Sequence, residues 1–261
     1  MTGKPELEHF ILMKDVRCMP ATTAGGGAFG GPIDLAVRRG EFVTLLGPGD
    51  CGKGTLLKMI AGLCPPAAGE IWLAGRKVDG PQHNLGIVFR NSVLLPWRTL
   101  LQNVMFQAEM RELDLQHSLL RARRLLGILG LSRSEHCYPP QLLPHEAQRA
   151  SICRALIHDP PLLLMDDLFH MLDPLAREQL VLDMQRLPAN PDLTTILTTS
   201  QITESVQLSD RVAVLSPQGS ILHILAIDLP RPRRLDKEAT PRIGLYCNDI
   251  RTLFHAHGVL T

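Results

Sequence analysis

The stretch GPGDCGKGT, Gly47 to Thr55, sets glycines and a lysine at the spacing of a phosphate-binding loop. In the pattern G-x-x-x-x-G-K followed by Ser or Thr, backbone N–H groups cradle phosphate oxygens, the lysine neutralises them and the final hydroxyl holds Mg²⁺. Gly47, Pro48, Gly49, Asp50, Cys51, Gly52 and Lys53 fill that pattern, but Gly54 takes the hydroxyl position and Thr55 follows one place late. Asp50 would face the anion with like charge. Such a pair ~4 Å apart costs on the order of 1 to 4 kcal/mol at effective dielectrics of 80 to 20, and Lys53 offsets it. The bland reading, in which Asp50 turns outward to the surface, stays open beside this one. A second centre is PLLLMDD, an apolar run ending in Asp166 and Asp167, the form of a strand that delivers carboxylates to a metal and to an attacking water.

These residues need a strand and a helix to hold them. Glu41 to Leu46 reads as a buried strand running into the glycine loop, and KGTLLKMIAGL carries Leu56, Met59 and Ile60 at helical spacing before Gly62 and Pro65-Pro66. EIWLAG and LGIVF are short strand candidates. From Thr99 to Leu156 the pattern turns helical, with Leu115, Leu119, Ala122, Leu126 and Leu129 on one face. PLLLMDD, TTILTT and RVAVLSP then alternate with helical stretches, which predicts an α/β fold with a mostly parallel sheet covered by helices. From PRPRR onward the weak periodicity predicts an irregular tail with a short terminal helix. The glycine cluster TAGGGAFGG interrupts the first segment, and its Phe29 is the nearest aromatic candidate to stack on a base, with loop packing as the plain alternative.

With 261 residues, 45% of them hydrophobic and 20% charged, the chain can bury a substantial core in one large domain or two small ones. A formal charge of +1 excludes an overall basic footprint for nucleic acid, and Arg121, Arg123 and Arg124 read as a solvated helix face. The six cysteines form no C-x-x-C pair and no zinc spacing, which predicts reduced thiols in a cytosolic protein. No stretch reaches the ~18 apolar residues of a membrane span, so any membrane role is expected to come through a partner.

The phosphate loop and PLLLMDD, together with LGIVFRNSVLLPWRTLLQNV, QRASICRAL and SDRVAVLSPQGSI, resemble the ATP-binding subunits of ABC transporters from Ile33 to Arg234. LLPWRT and DLPRPR are most similar to the nitrate, sulfonate and taurine importer branch. The resemblance implies a phosphate-loop NTPase core of ABC-ATPase type, residues 1–98 and 157–230. It also implies a helical signature subdomain inserted at 99–156 and a C-terminal tail at 231–261. It implies ATP and Mg²⁺ as cofactors, a second ATP-binding subunit as partner, and membrane permeases docked at the cytoplasmic face of the cell membrane, near Arg90 to Arg98.

The motif positions depart from the family's pattern. Lys53 and the Mg²⁺-orienting Asp166 are kept. The glutamate that polarises water is Asp167, one methylene shorter, and the glutamine after the third strand is Arg90, which cannot accept a hydrogen bond but can pair with Asp166 or Asp167. The γ-phosphate-contacting histidine is Ser200. The signature LSGG followed by Gln is Leu142, Leu143, Pro144, His145 and Glu146, without the serine hydroxyl and with one N–H fewer. Pro144 and Glu146 nonetheless suit the first turn of a helix. The expected activity is ATP binding with weak or absent hydrolysis coupled to uptake. The alternative is a non-hydrolysing pseudo-ATPase that regulates or stabilises the permease. A small-molecule kinase accounts for neither the helical insert nor QRASICRAL.

Overall fold

The computed structural model describes residues 9–18, 31–49, 51–170, 172–187, 190–233 and 239–259. In chain order the elements are β1 (Ile11–Arg17), β2 (Ile33–Val37), β3 (Phe42–Leu46), α1 (Lys53–Ile60), β4 (Ala68–Leu73), β5 (Arg76–Lys77) and β6 (Gly86–Val88). The helices α2 (Leu100–Met110), α3 (Leu115–Ile128) and α4 (Pro144–Leu156) follow, and then β7 (Leu162–Asp166) and α5 (Pro174–Arg186). The chain closes with β8 (Thr194–Thr199), α6 (Ile202–Leu208), β9 (Arg211–Leu215), β10 (Ile221–Ala226) and α7 (Ala239–Ala256). They divide into two compact units, Met1–His83 with Asn190–Thr261, and Asn84–Ala189.

In the first unit β3 lies between β8 and β9 and runs parallel to both, while β10 pairs antiparallel with β9. All five residues of β3 are buried, as a strand covered on both faces requires. A separate antiparallel ladder joins β2, β1, β4 and β5. The tail, expected to be irregular with a short terminal helix, carries in α7 a longer one of 18 residues. Its Ile243, Cys247, Ile250 and Phe254 recur every three or four positions and pack with Val206, Val212, Val214, Ile227 and Leu229 in one apolar cluster. The Arg233 guanidinium, 2% exposed, is inserted beside that cluster and donates to the carbonyls of Val206, Ser209, Ile227 and Leu229.

In the second unit β6 and β7 pair in parallel. Thr99 and Gln102 form a capping box at the start of α2, and the Asp114 carboxylate accepts the Gln116 and His117 N–H groups to open α3. Ala122 and Leu126 of α3, and Leu129 at its C-cap, are buried as expected. Ser118 and Leu125 are buried too, whereas Leu115, the first helical residue, is 53% exposed. Arg149 of α4 makes a buried ion pair with Asp183 of α5 at 3.1 Å.

His158, just beyond α4, adds a pH dependence. Burial first, and then the Arg111 charge, push its imidazole down to about 4. Between pH ~6.5 and 4 the unfolded chain therefore binds a proton that the folded chain refuses, so stability falls as pH falls through that window. We expect a loss of about 1 to 2 kcal/mol after allowance for solvent screening, and a flatter acid limb in His158→Leu. Urea titrations at pH 7 and pH 4.5 check this; equal acid losses in both proteins would remove His158 as the cause.

Candidate functional site

β3 ends at Leu46 and its chain direction carries straight into the glycine loop. The Gly47 N–H donates to the Thr199 carbonyl across to β8 at 3.2 Å, so the loop starts beside Ser200, the residue after Thr199. A Cβ at Gly47 would lie 3.0 Å from both Cys51 Sγ and Leu215 Cβ, so a side chain there would have to push these neighbours aside. Gly52, at φ 88°, supplies the left-handed turn from which α1 begins. Leu56 is the first residue whose N–H bonds back along the helix, to Gly52 at 3.0 Å, so the preceding N–H groups are those a helix N-terminus offers to an anion.

Lys53 is 5% exposed and turned onto its own loop, with Nζ donating to the Gly47 carbonyl at 2.6 Å and the Pro48 carbonyl at 2.5 Å. Its charge props the loop open from within, and a phosphate would have to compete with two carbonyls for it. Cys51 Sγ lies 3.7 Å from that ammonium. Burial pushes the Cys51 thiol up, against the pull of Lys53, so the sulfur acts as a neutral filler of the loop interior. Asp50 and Phe29 lie outside the described residues.

A triphosphate fits the loop through its backbone, because Gly49 has open space where a side chain would stand and α1 presents its N-terminus. For Mg²⁺ the loop lacks the hydroxyl of the pattern, because Gly54 stands in its place, and among the described residues no group of three or more His, Cys, Asp or Glu is placed to hold a metal ion by itself. Ser200 sits exposed at the end of β8, where its short side chain cannot replace an imidazole.

Arg90, Asp166, Asp167 and the signature residues belong to the second unit. There Arg90 Nε lies 3.5 Å from the Asp167 carboxylate, as the charges predicted. The same guanidinium reaches the His170 ring, 2.8 Å from Nδ1 and 2.6 Å from Nε2, and His170 Nδ1 is 3.7 Å from Asp167. His170 went unnoticed in the sequence; its one signal was a position three residues after Asp167. Asp167 itself has φ 46°, a turn that a non-glycine residue seldom takes, and Asp tolerates it better than most. The Asp167 carboxylate is thus engaged by a cation of its own chain.

At the start of α4 the helix persists while its anion-binding capacity is met internally. Pro144 has no N–H, and Glu146 Oε2 accepts the Leu143 N–H at 2.9 Å while its other oxygen accepts from the Ser134 hydroxyl at 3.2 Å. A carboxylate in the first turn of a helix is favoured by the same dipole that would hold a phosphate. His145 adds no hydroxyl to the site.

Between these groups, the Phe89–Arg98 loop is fastened by its main chain. Gln148 donates to the Phe89 carbonyl, Ser151 to Ser92 at 2.7 Å, and Arg154 to Val93 at 2.8 Å. The fully buried Asn103 accepts the Leu95 N–H at 2.7 Å and donates to the carbonyls of Leu95, Arg98 and Thr99. Val93 and Trp97 are left 60% and 71% exposed.

A family model described as ABC transporter matches residues 31–170. An uncharacterized ABC transporter ATP-binding protein of Methanocaldococcus jannaschii is 40% identical over 202 residues, 77% of this chain and 76% of its own length. The nitrate import ATP-binding protein of Synechococcus elongatus is 38% identical over 80% of this chain and 32% of its own. The taurine import ATP-binding protein of Escherichia coli O157:H7 is 37% identical over 76% and 78%. A dimeric bacterial ABC transporter cassette matches in structure with a TM-score of 0.74 at 24% identity, over 84% of this chain and 100% of that one, a likeness of fold.

Proposed function

Because the chain belongs to the ABC transporter family, we propose that it is the nucleotide-binding subunit of an importer for a small anion such as nitrate, a sulfonate or taurine. In this reading it pairs with a second ATP-binding subunit and docks on permeases at the cytoplasmic face of the membrane, with residues 99–156 acting as the signature subdomain. No helix among the described residues is long and apolar enough to cross a membrane.

The observation that carries the reading is the Phe89–Arg98 loop, pinned through its backbone while Val93 and Trp97 face solvent. A rigid loop with exposed apolar side chains loses little entropy on docking. ATP is held by the α1 N-terminus and Lys53, which exchanges its loop carbonyls for phosphate oxygens. Hydrolysis is weak or absent. The Arg90–Asp167 pair and the Glu146 cap favour a second version of the role, a non-hydrolysing subunit that stabilises or regulates its permease.

Nucleotide binding and turnover by the purified chain, alone and with its permease, separate the two versions. We expect ATP binding without appreciable turnover, and permease association that Trp97→Asp, at the 71% exposed side chain of the loop, abolishes in a chain that remains folded. Intact association of a folded Trp97→Asp protein would remove the docking surface from consideration.

A further inference from the structure

The end of β1 and the segment after α1 meet at one point of the antiparallel ladder. Arg17 is paired with Ala68, and the Ala67 N–H donates to the Arg17 carbonyl at 2.8 Å. Cys18 is the next residue beyond Arg17, and Cys64 lies three residues before Ala67. The Cys64 sulfur is turned back on α1, 3.9 Å from the Thr55 carbonyl, and charge on Cys18 acts directly on it. Both thiols are half-buried and so within reach of a small oxidant, whereas Cys51, Cys153 and Cys247 are buried. Cys137, also half-buried, belongs to the other unit.

We propose that Cys18 and Cys64 are an oxidisable pair that closes to an intramolecular disulfide in the presence of a low-molecular-weight disulfide. One protein thiolate attacks the small disulfide, expelling one small thiol and forming a mixed disulfide. The second protein thiolate then attacks the protein sulfur of that adduct and expels the other small thiol. In sum, two protein thiols and one small disulfide give one protein disulfide and two small thiols. Burial and the neighbouring Cys18 hold the Cys64 thiol up, so the exchange quickens as pH rises. The closed loop spans β2, β3, the glycine loop and α1, and thereby restrains the segment that carries Lys53.

The test incubates the full chain with oxidised glutathione, quenches free thiols with an alkylating agent, and reads intact mass, peptide map and melting temperature. The expected product has lost two hydrogens, contains a linked Cys18–Cys64 peptide, and melts several degrees higher until a dithiol reductant reverses it. Cys18→Ser and Cys64→Ser each abolish the linked peptide, and Cys137→Ser leaves it unchanged. Glutathione adducts on both thiols without a linked peptide, a link to any other cysteine, or failure of both thiols to react would each overturn the proposal.

Discussion

A chain carrying Gly54→Ser, Arg90→Gln, Asp167→Glu, Ser200→His, Asp50→Gly and the signature changes Leu143→Ser, Pro144→Gly, His145→Gly and Glu146→Gln is expected to gain ATP turnover. The gain should be about 10² to 10⁴-fold over the unmodified chain, the range that positioned acid–base groups contribute. Gly54→Ser alone should strengthen Mg²⁺-nucleotide binding and leave turnover near background. The asymmetry follows from the way phosphoryl transfer is catalysed, almost wholly by positioning and charge stabilisation, and from the non-additivity of groups that act as a unit. The geometry sharpens the point. Arg90→Gln does more than supply an acceptor, because it also removes the guanidinium from the Asp167 carboxylate. Glu146→Gln removes a carboxylate charge that meets the α4 N-terminus from within. Steady-state turnover of the single, partial and complete variants tests this, and brisk Mg²⁺-dependent turnover by the unmodified chain would overturn it.

Arg233→Met should lower unfolding free energy by about 3 to 5 kcal/mol, the usual cost of breaking a buried charged network. Its guanidinium is pushed down to about 10 by burial, and so is charged at neutral pH. Four carbonyls accept from it, two of them, Val206 and Ser209, at the C-terminal end of α6, where the helix dipole favours a cation. Methionine can fill the space of the stem but takes the side-chain donor from all four carbonyls, of which Ile227 keeps a backbone donor, the Leu229 N–H. Arg231→Met is the control. Its pair with Asp210 at 3.1 Å is exposed and should be worth less than ~1 kcal/mol. In a Trp97→Phe background the fluorescence of Trp72, in β4, reports the same unit as Arg233. Equal losses in the two variants would refute the assignment.

β3, the glycine loop and α1 were legible because an unbroken apolar run, a glycine at each forced position and a helical repeat all point the same way. The Arg90–Asp167 pair was legible as complementary charge. His170 was not, since its approach to Arg90 depends on the left-handed turn at Asp167, which no side-chain pattern announces. Most of the α3 face was legible too, since Ala122, Leu126 and Leu129 are buried as the repeat requires. Leu115 fits the repeat yet lies in the first turn, where it is exposed. A terminal helix was expected, but the length of α7 was underestimated. Its stripe runs through Cys247, Leu245 stands off it exposed, and the prolines upstream suggested irregular chain. Asp50 and Phe29 remain the expectations they were.

The way Gln148, Ser151, Arg154 and Asn103 hold the Phe89–Arg98 loop has an evolutionary side. Each of these bonds ends on a main-chain atom of the loop, and every residue type brings the same main chain. The shape of the loop is therefore set largely by its neighbours, and although Val93 is constrained by its φ of 33°, the identity of the exposed Trp97 is left free to drift. On the docking reading proposed above, a lineage could change its partner at that side chain with little cost to folding, much as an interchangeable tool head is swapped on a fixed handle.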